Sequence, residues 1–158
     1  MTHALTLTRE FDGSPATVWR CLTEPDLLAQ WFAPAPVTCP RAMIEPRPGG
    51  IFHVVMDVPE MGEMDGAAGC VLEALPEERL TWTSALGPGF APNPSAAEGE
   101  FHITAIVTLQ PHGSGTRYTA TALHADEAAR AAHAAMGFES GWGTAADQLG
   151  SLAATLGH

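Results

Sequence analysis

Apolar and polar residues alternate over residues 5–11, with Leu5, Leu7, Arg9 and Phe11 on one side, and this period of two predicts a first strand. Ser14-Pro15 then supplies a helix N-cap followed by proline at the first helical position, so residues 15–23 should be helical, with Val18, Trp19 and Leu22 on one face. Thr23-Glu24-Pro25 repeats that grammar, with Thr23 as the expected cap, and opens a second short helix directing Leu27, Leu28 and Trp31 inward. From Val37 the period changes to that of strands, in runs at about 38–46, 51–58, 68–75, 79–85, 101–109 and 116–123. Pro48-Gly49-Gly50, residues 59–66, Pro76-Glu77-Glu78 and His112-Gly113-Ser114-Gly115 separate them with turn residues at hairpin length, so consecutive strands should pair antiparallel. Residues 87–99, rich in Pro, Gly, Ala and Ser, exceed a hairpin loop and are a candidate lid.

After Leu123 the alternation ends. An alanine-rich stretch between Asp126, a plausible N-cap, and Gly137, a plausible C-cap, reads as a short helix. Residues 138–156 place Trp142, Ala145, Leu149, Leu152 and Leu156 at spacings of three and four, which makes one apolar stripe of a longer helix. Its glycines at 141, 143 and 150 each lower helix propensity by up to about 1 kcal/mol relative to alanine, so packing must hold the helix, and close approach to a sheet would account for them. The order of elements predicts an α+β helix-grip fold: a curved antiparallel sheet of about seven strands wrapped around a long C-terminal helix, with two short helices after strand one. A cavity should remain where sheet and helix do not quite meet. Both faces of the strands carry apolar residues, so periodicity leaves open which face is concave.

A chain of 158 residues is the size of one ordinary domain, and 46% apolar with 16% charged residues is a globular composition. No apolar run approaches the roughly 20 residues of a membrane helix, and the start lacks a basic region followed by an apolar one, so no membrane insertion and a cytoplasmic location are expected. Eighteen acids against seven Lys and Arg, a net charge of −11, argue against nucleic-acid binding. Cys21, Cys39 and Cys70 have no paired spacing and read as reduced core thiols.

Arg9-Glu10-Phe11-Asp12 with Pro15, Val18-Trp19, Leu22-Thr23-Glu24-Pro25, Trp31-Phe32-Ala33-Pro34 and Arg47-Pro48-Gly49-Gly50 form an ordered set of motifs. It continues with Gly69, Leu72-Glu73, Pro76-Glu77-Glu78-Arg79-Leu80, Gly115-Thr116-Arg117, Gly137-Phe138, Gly141-Trp142 and Leu149. Over about residues 4–156 this set resembles the family homologous to the C-terminal domain of heat-shock-protein-90 ATPase activators, within the START-like (SRPBCC) helix-grip superfamily. The resemblance implies the same fold and an internal pocket. It does not name a ligand, because the superfamily includes lipid carriers, hormone and polyketide binders, aromatase/cyclases and co-chaperone domains.

The seven histidines include no His-x-His or Glu-x-x-His pair, so neither a metal site nor a cofactor is expected. No Gly-x-Ser-x-Gly elbow is present, and Gly113-Ser114-Gly115 and Pro48-Gly49-Gly50 read as turns. Among the acids Glu45, Asp57, Glu73, Glu98 and Glu100, Glu73 lies between Leu72 and Ala74 within a strand and is the candidate buried base. His53 and His102 are candidate polar groups in a pocket. The candidate pocket residues are Trp31, Phe32, Phe52, His53, Val54, Met56, Trp82, Phe101, Met136, Phe138, Trp142 and Leu149. Phe52, Val54 and Met56 share one strand face, and Leu80 and Trp82 another. The expected partner is a small apolar or aromatic molecule. A cyclase, dehydratase or hydrolase using the same cavity, and a chaperone-activator-like interaction module, are the alternatives; a homodimer is compatible with the chain.

Overall fold

A computed structural model describes residues 3–156. Strand β1 (His3–Phe11) leads into helices α1 (Pro15–Thr23) and α2 (Pro25–Trp31). There follow β2 (Thr38–Ile44), β3 (Ile51–Val58), β4 (Gly62–Met64), β5 (Gly69–Leu75), β6 (Arg79–Thr83), β7 (Leu86–Gly87), β8 (Ala91–Pro92), β9 (Thr104–His112) and β10 (Gly115–His124). Helices α3 (Glu127–Ala135) and α4 (Phe138–Leu156) close the described chain. Among the described residues, seven strands form a curled antiparallel sheet in the order β1-β10-β9-β6-β5-β3-β2, with β4 paired to β3. Consecutive strands pair as expected of a meander, and β1 completes the sheet beside β10.

Register settles the question that periodicity left open. Leu7 faces Ala120, Arg9 faces Tyr118, Tyr118 faces Leu109, Leu80 faces Val107 and Ile44 faces Phe52. Apart from Arg9, these residues join one core cluster with α1, α2 and α4, so theirs is the inner face. In β5 a register shift between Val71 and Glu73 turns Glu73 onto the face of Thr81, while Val71 and Ala74 stay with Trp82 and Leu80.

Ser14 caps α1 by accepting from Thr17 N at 3.3 Å, and Asp126 caps α3 by accepting from Ala129 N at 2.8 Å. Thr23 does not cap α2. It ends α1, donating its hydroxyl to Trp19 O, and Glu24 stands at the cap position with no side-chain bond, leaving Pro25 to start the helix. The strand expected from residue 101 begins at Thr104, because Ile103 N and O bond Ser84 instead of extending the ladder.

Helix α4 is packed against β1, α1 and α2. A Cβ at Gly150 would lie 2.7 Å from the Phe11 ring, and one at Gly143 would lie 2.8 Å from the Arg9 guanidinium. Arg9 reaches across this contact to Asp147, with Nε 3.1 Å from Oδ1. Gly141 differs from these two, since a Cβ there meets nothing within 4 Å. Leu156, the last residue of the expected stripe, is exposed, while Ala145 and Leu149 are buried. The contrast predicts that Gly150→Ala lowers the unfolding free energy by about 1–3 kcal/mol through overpacking, whereas Gly141→Ala raises it by up to about 1 kcal/mol, as read from urea denaturation midpoints.

Candidate functional site

Because α4 seats on β1 at the sheet's margin, a space opens between it, α1, α2 and the middle strands. This partly open cavity has a volume of about 370 Å³, within the range of about 300–1,000 Å³ usual for small-molecule sites. Its floor is sheet: Phe52 and Met56 from β3, Leu80 and Trp82 from β6, Ala105 and Val107 from β9, and Tyr118 from β10, with Ile103 just ahead of β9. Leu22, Leu28, Trp31, Phe32 and Pro34 form one wall, and Gly141, Trp142 and Ala145 of α4 form the other.

The wall is built largely of aromatic rings. Phe52 and Trp82, two strands apart, stack with centroids 4.2 Å apart and planes 8° from parallel. Phe32 lies 5.6 Å from Phe52 and 6.3 Å from Trp82, and it stacks on Trp31 at 5.6 Å. Across the space, Trp142 stacks on Phe138 at 4.7 Å. The position of the Trp31–Pro34 segment is set by hydrogen bonds. Trp31 Nε1 donates to Cys21 O at 2.8 Å, and Gln148 Nε2 donates to Trp31 O and Ala33 O at 2.9 and 2.8 Å. Gln148 Oε1 accepts from Ala35 N at 3.0 Å, so one amide on α4 holds three backbone groups.

Of the residues expected in the pocket, Trp31, Phe32, Phe52, Met56, Trp82 and Trp142 line the cavity. Phe138 and Leu149 are buried behind it, and Val54 packs on the core beyond its lining. His53 is on the opposite strand face, with Nε2 2.9 Å from Asp65 Oδ1 and 3.0 Å from Gly66 O. Met136 is 73% exposed on the turn after α3. Phe101 packs instead on His124 and His133, at 5.7 and 5.1 Å. Glu73 is no buried base: it accepts from Arg79 at 2.6 and 3.1 Å, and that hydrogen-bonded guanidinium holds its carboxyl below the usual range.

His102 bonds Ser84 Oγ at 3.2 Å and Pro94 O at 2.9 Å, fastening residues 84–94 to the body. Asn93 donates to Ala68 O and Ser84 O, and Gly89 N donates to Gly49 O, so the expected lid is a strap. None of residues 87–99 lines the cavity. The lining residues that sequence reasoning missed, above all Ala105, Val107 and Tyr118, carry the ordinary alternation of β9 and β10; nothing but register marks them as concave.

Residues 12–154 match the family described as Activator of Hsp90 ATPase homolog 1-like protein. The chain belongs to that family. Protein NE0264 of Nitrosomonas europaea, known from a crystal structure, shares 42% identity at a TM-score of 0.90, over 97% of this chain and 95% of that one. A Rhodobacter sphaeroides protein shares 25% identity at a TM-score of 0.80, over 96% and 93%. CalU16 of Micromonospora echinospora shares the fold at 20% identity and a TM-score of 0.63, over 95% and 75%. No curated protein matches the chain. Among the described residues, no helix is long and apolar enough to cross a membrane. No group of three or more His, Cys, Asp or Glu side chains among them is placed to hold a metal ion.

Behind Trp142 the structure brings together two histidines far apart in role at the level of sequence. His124 Nδ1 donates to His3 O at 2.9 Å, so its Nε2 accepts from His133 Nδ1 at 2.9 Å when both rings are neutral. His133 packs edge-on against Phe138 and Trp142 at 5.3 and 5.8 Å. Burial, and then the neighbouring His124, hold His133 below the usual imidazole range. A histidine that gains a proton more readily when unfolded contributes stability above its unfolded pKa of about 6.5 and loses it as pH falls. Thermal midpoints should therefore decline from pH 7.5 to 5.5, before the carboxylates titrate, and His133→Phe, which keeps a ring against Trp142, should flatten that decline.

Proposed function

We propose that this protein binds a small apolar or aromatic molecule in the cavity between sheet and α4. One observation carries the reading: an aromatic-walled space of about 370 Å³ whose lining, among the described residues, has no carboxylate, imidazole, ammonium or guanidinium. Such a site holds a ligand by burial and dispersion, worth about 25 cal/mol per Å² of apolar surface removed from water before the costs of association. Trp31, Phe32, Phe52, Met56, Trp82 and Trp142 are its principal contacts. A cyclase, dehydratase or hydrolase would need a proton carrier at the cavity, and the two candidates, His53 and Glu73, are engaged elsewhere with Asp65 and Arg79. Binding without proton transfer by those residues is the better-supported function.

The test is thermal unfolding against a panel of neutral polycyclic aromatics, with tryptophan fluorescence as a second readout. A ligand at 100 times its dissociation constant adds about 2.7 kcal/mol, or roughly 5–10 °C in midpoint for a domain of this size. Gly141→Leu places a side chain in open space at the cavity wall, so it should abolish both the shift and the quenching while leaving the unliganded midpoint unchanged or raised. Persistence of binding in Gly141→Leu would place the ligand elsewhere.

A further inference from the structure

The cavity wall is mostly apolar, and its most deeply buried hydroxyl belongs to β10. Tyr118, in the inner face of β10, is 4% exposed and lines the cavity, with its ring 5.3 Å from Phe11. Its hydroxyl makes no hydrogen bond with any described residue. Yet among those residues no side-chain oxygen or nitrogen sealed from solvent lacks a partner. The Tyr118 oxygen is therefore not sealed off, and the cavity is the space that this residue lines.

A hydroxyl facing an otherwise apolar space is poorly hydrated there, and a correctly placed ligand acceptor gives it a hydrogen bond worth a net of about 0.5–1.5 kcal/mol. We propose that the Tyr118 hydroxyl is the orienting donor of the site, selecting neutral aromatic ligands that carry a carbonyl-type oxygen over hydrocarbons of the same shape. The assignment rests on the cavity reading above. Burial pushes the phenol well above its ordinary pKa, so it keeps its proton and remains a donor throughout the physiological range. The other N–H or O–H groups in the lining side chains are indole N–H groups, which can only donate; Trp31 spends its own on Cys21 O, leaving those of Trp82 and Trp142. With three N–H or O–H donors left in the lining side chains and the phenol oxygen the one oxygen acceptor among them, the set favours an acceptor on the ligand. An anionic ligand would be desolvated without a countercharge in the lining, and the chain's net charge of −11 opposes its approach.

The experiment compares fluorene with 9-fluorenone, which differ by one carbonyl oxygen, in the full chain and in Tyr118→Phe. Wild-type protein should bind fluorenone roughly 5- to 10-fold more tightly than fluorene by tryptophan quenching, after correction for their partition from water. Tyr118→Phe should lose that preference by weakening fluorenone alone. The infrared carbonyl band of bound fluorenone should lie at lower frequency in wild type than in the variant, a signature that a merely structural tyrosine would not move. Equal corrected affinities, or a preference and carbonyl band unchanged in Tyr118→Phe, with both probes displaced from the cavity by Gly141→Leu, would overturn the role of Tyr118 and leave the cavity reading standing. Binding of neither probe, together with no stabilisation by the aromatic panel, would overturn both.

Discussion

The seating of α4 on β1 is the contact on which the rest of the structure depends. Gly150 lets the helix backbone settle against the Phe11 ring, Gly143 leaves room for Arg9, and Arg9 continues across the helix to Asp147. A helix this rich in glycine has little reason to form alone, and burial of Ala145, Ala146, Leu149 and Ala153 supplies what propensity withholds. Because the seat is on β1, at one margin of a curled sheet, the same helix stands away from β3, β6 and β9. The cavity is the geometric remainder of that placement.

The remainder stays open because its boundaries are themselves held. Gln148, one turn on from the Trp142–Ala145 wall, grips Trp31 O, Ala33 O and Ala35 N, so the helix that opens the space also fixes the segment facing it. The Phe52–Trp82 stack spans β5 and stiffens the floor. At the far side, His133 and Phe138 back Trp142, so the wall ring is packed on the face turned away from the cavity. Stiff walls are what a binding site made of apolar contacts needs, since each ordered side chain that need not be immobilised on binding spares about 0.5–1.5 kcal/mol.

Polar chemistry in this molecule is mostly spent on architecture. Glu73 and Arg79 neutralise one another on the outer face, His53 is occupied with Asp65 and Gly66, and His102 fastens the segment that looked like a lid. Cys21 lies in the core, where burial pushes its thiol up to about 11, and Cys70 is equally buried. What is left facing the cavity is a set of rings with few donors. In the cavity of this chain the hydrogen-bond donors are sparse, and Tyr118 is the most deeply buried residue that carries one.

The sequence by itself determined the kinds and order of elements: capped starts at Ser14 and Asp126, the meander of β-rich runs, and the α4 stripe through Ala145 and Leu149. These follow from short-range rules of capping, alternation and helical spacing that each segment obeys locally. It also marked Trp31, Phe32, Phe52, Met56, Trp82 and Trp142, because large apolar residues in period on facing elements have few places to go. Only the tertiary structure decided which strand face is concave, since a period of two is symmetric between faces until pairing partners are known. That choice set His53 outside the cavity and Tyr118 within it. The shift in register after Val71 turned Glu73 outward, and the packing of residues 84–94 against Ala68 and Gly49 made a strap of the expected lid. Each of these outcomes depends on which separate segments meet and in what register, which local pattern does not encode.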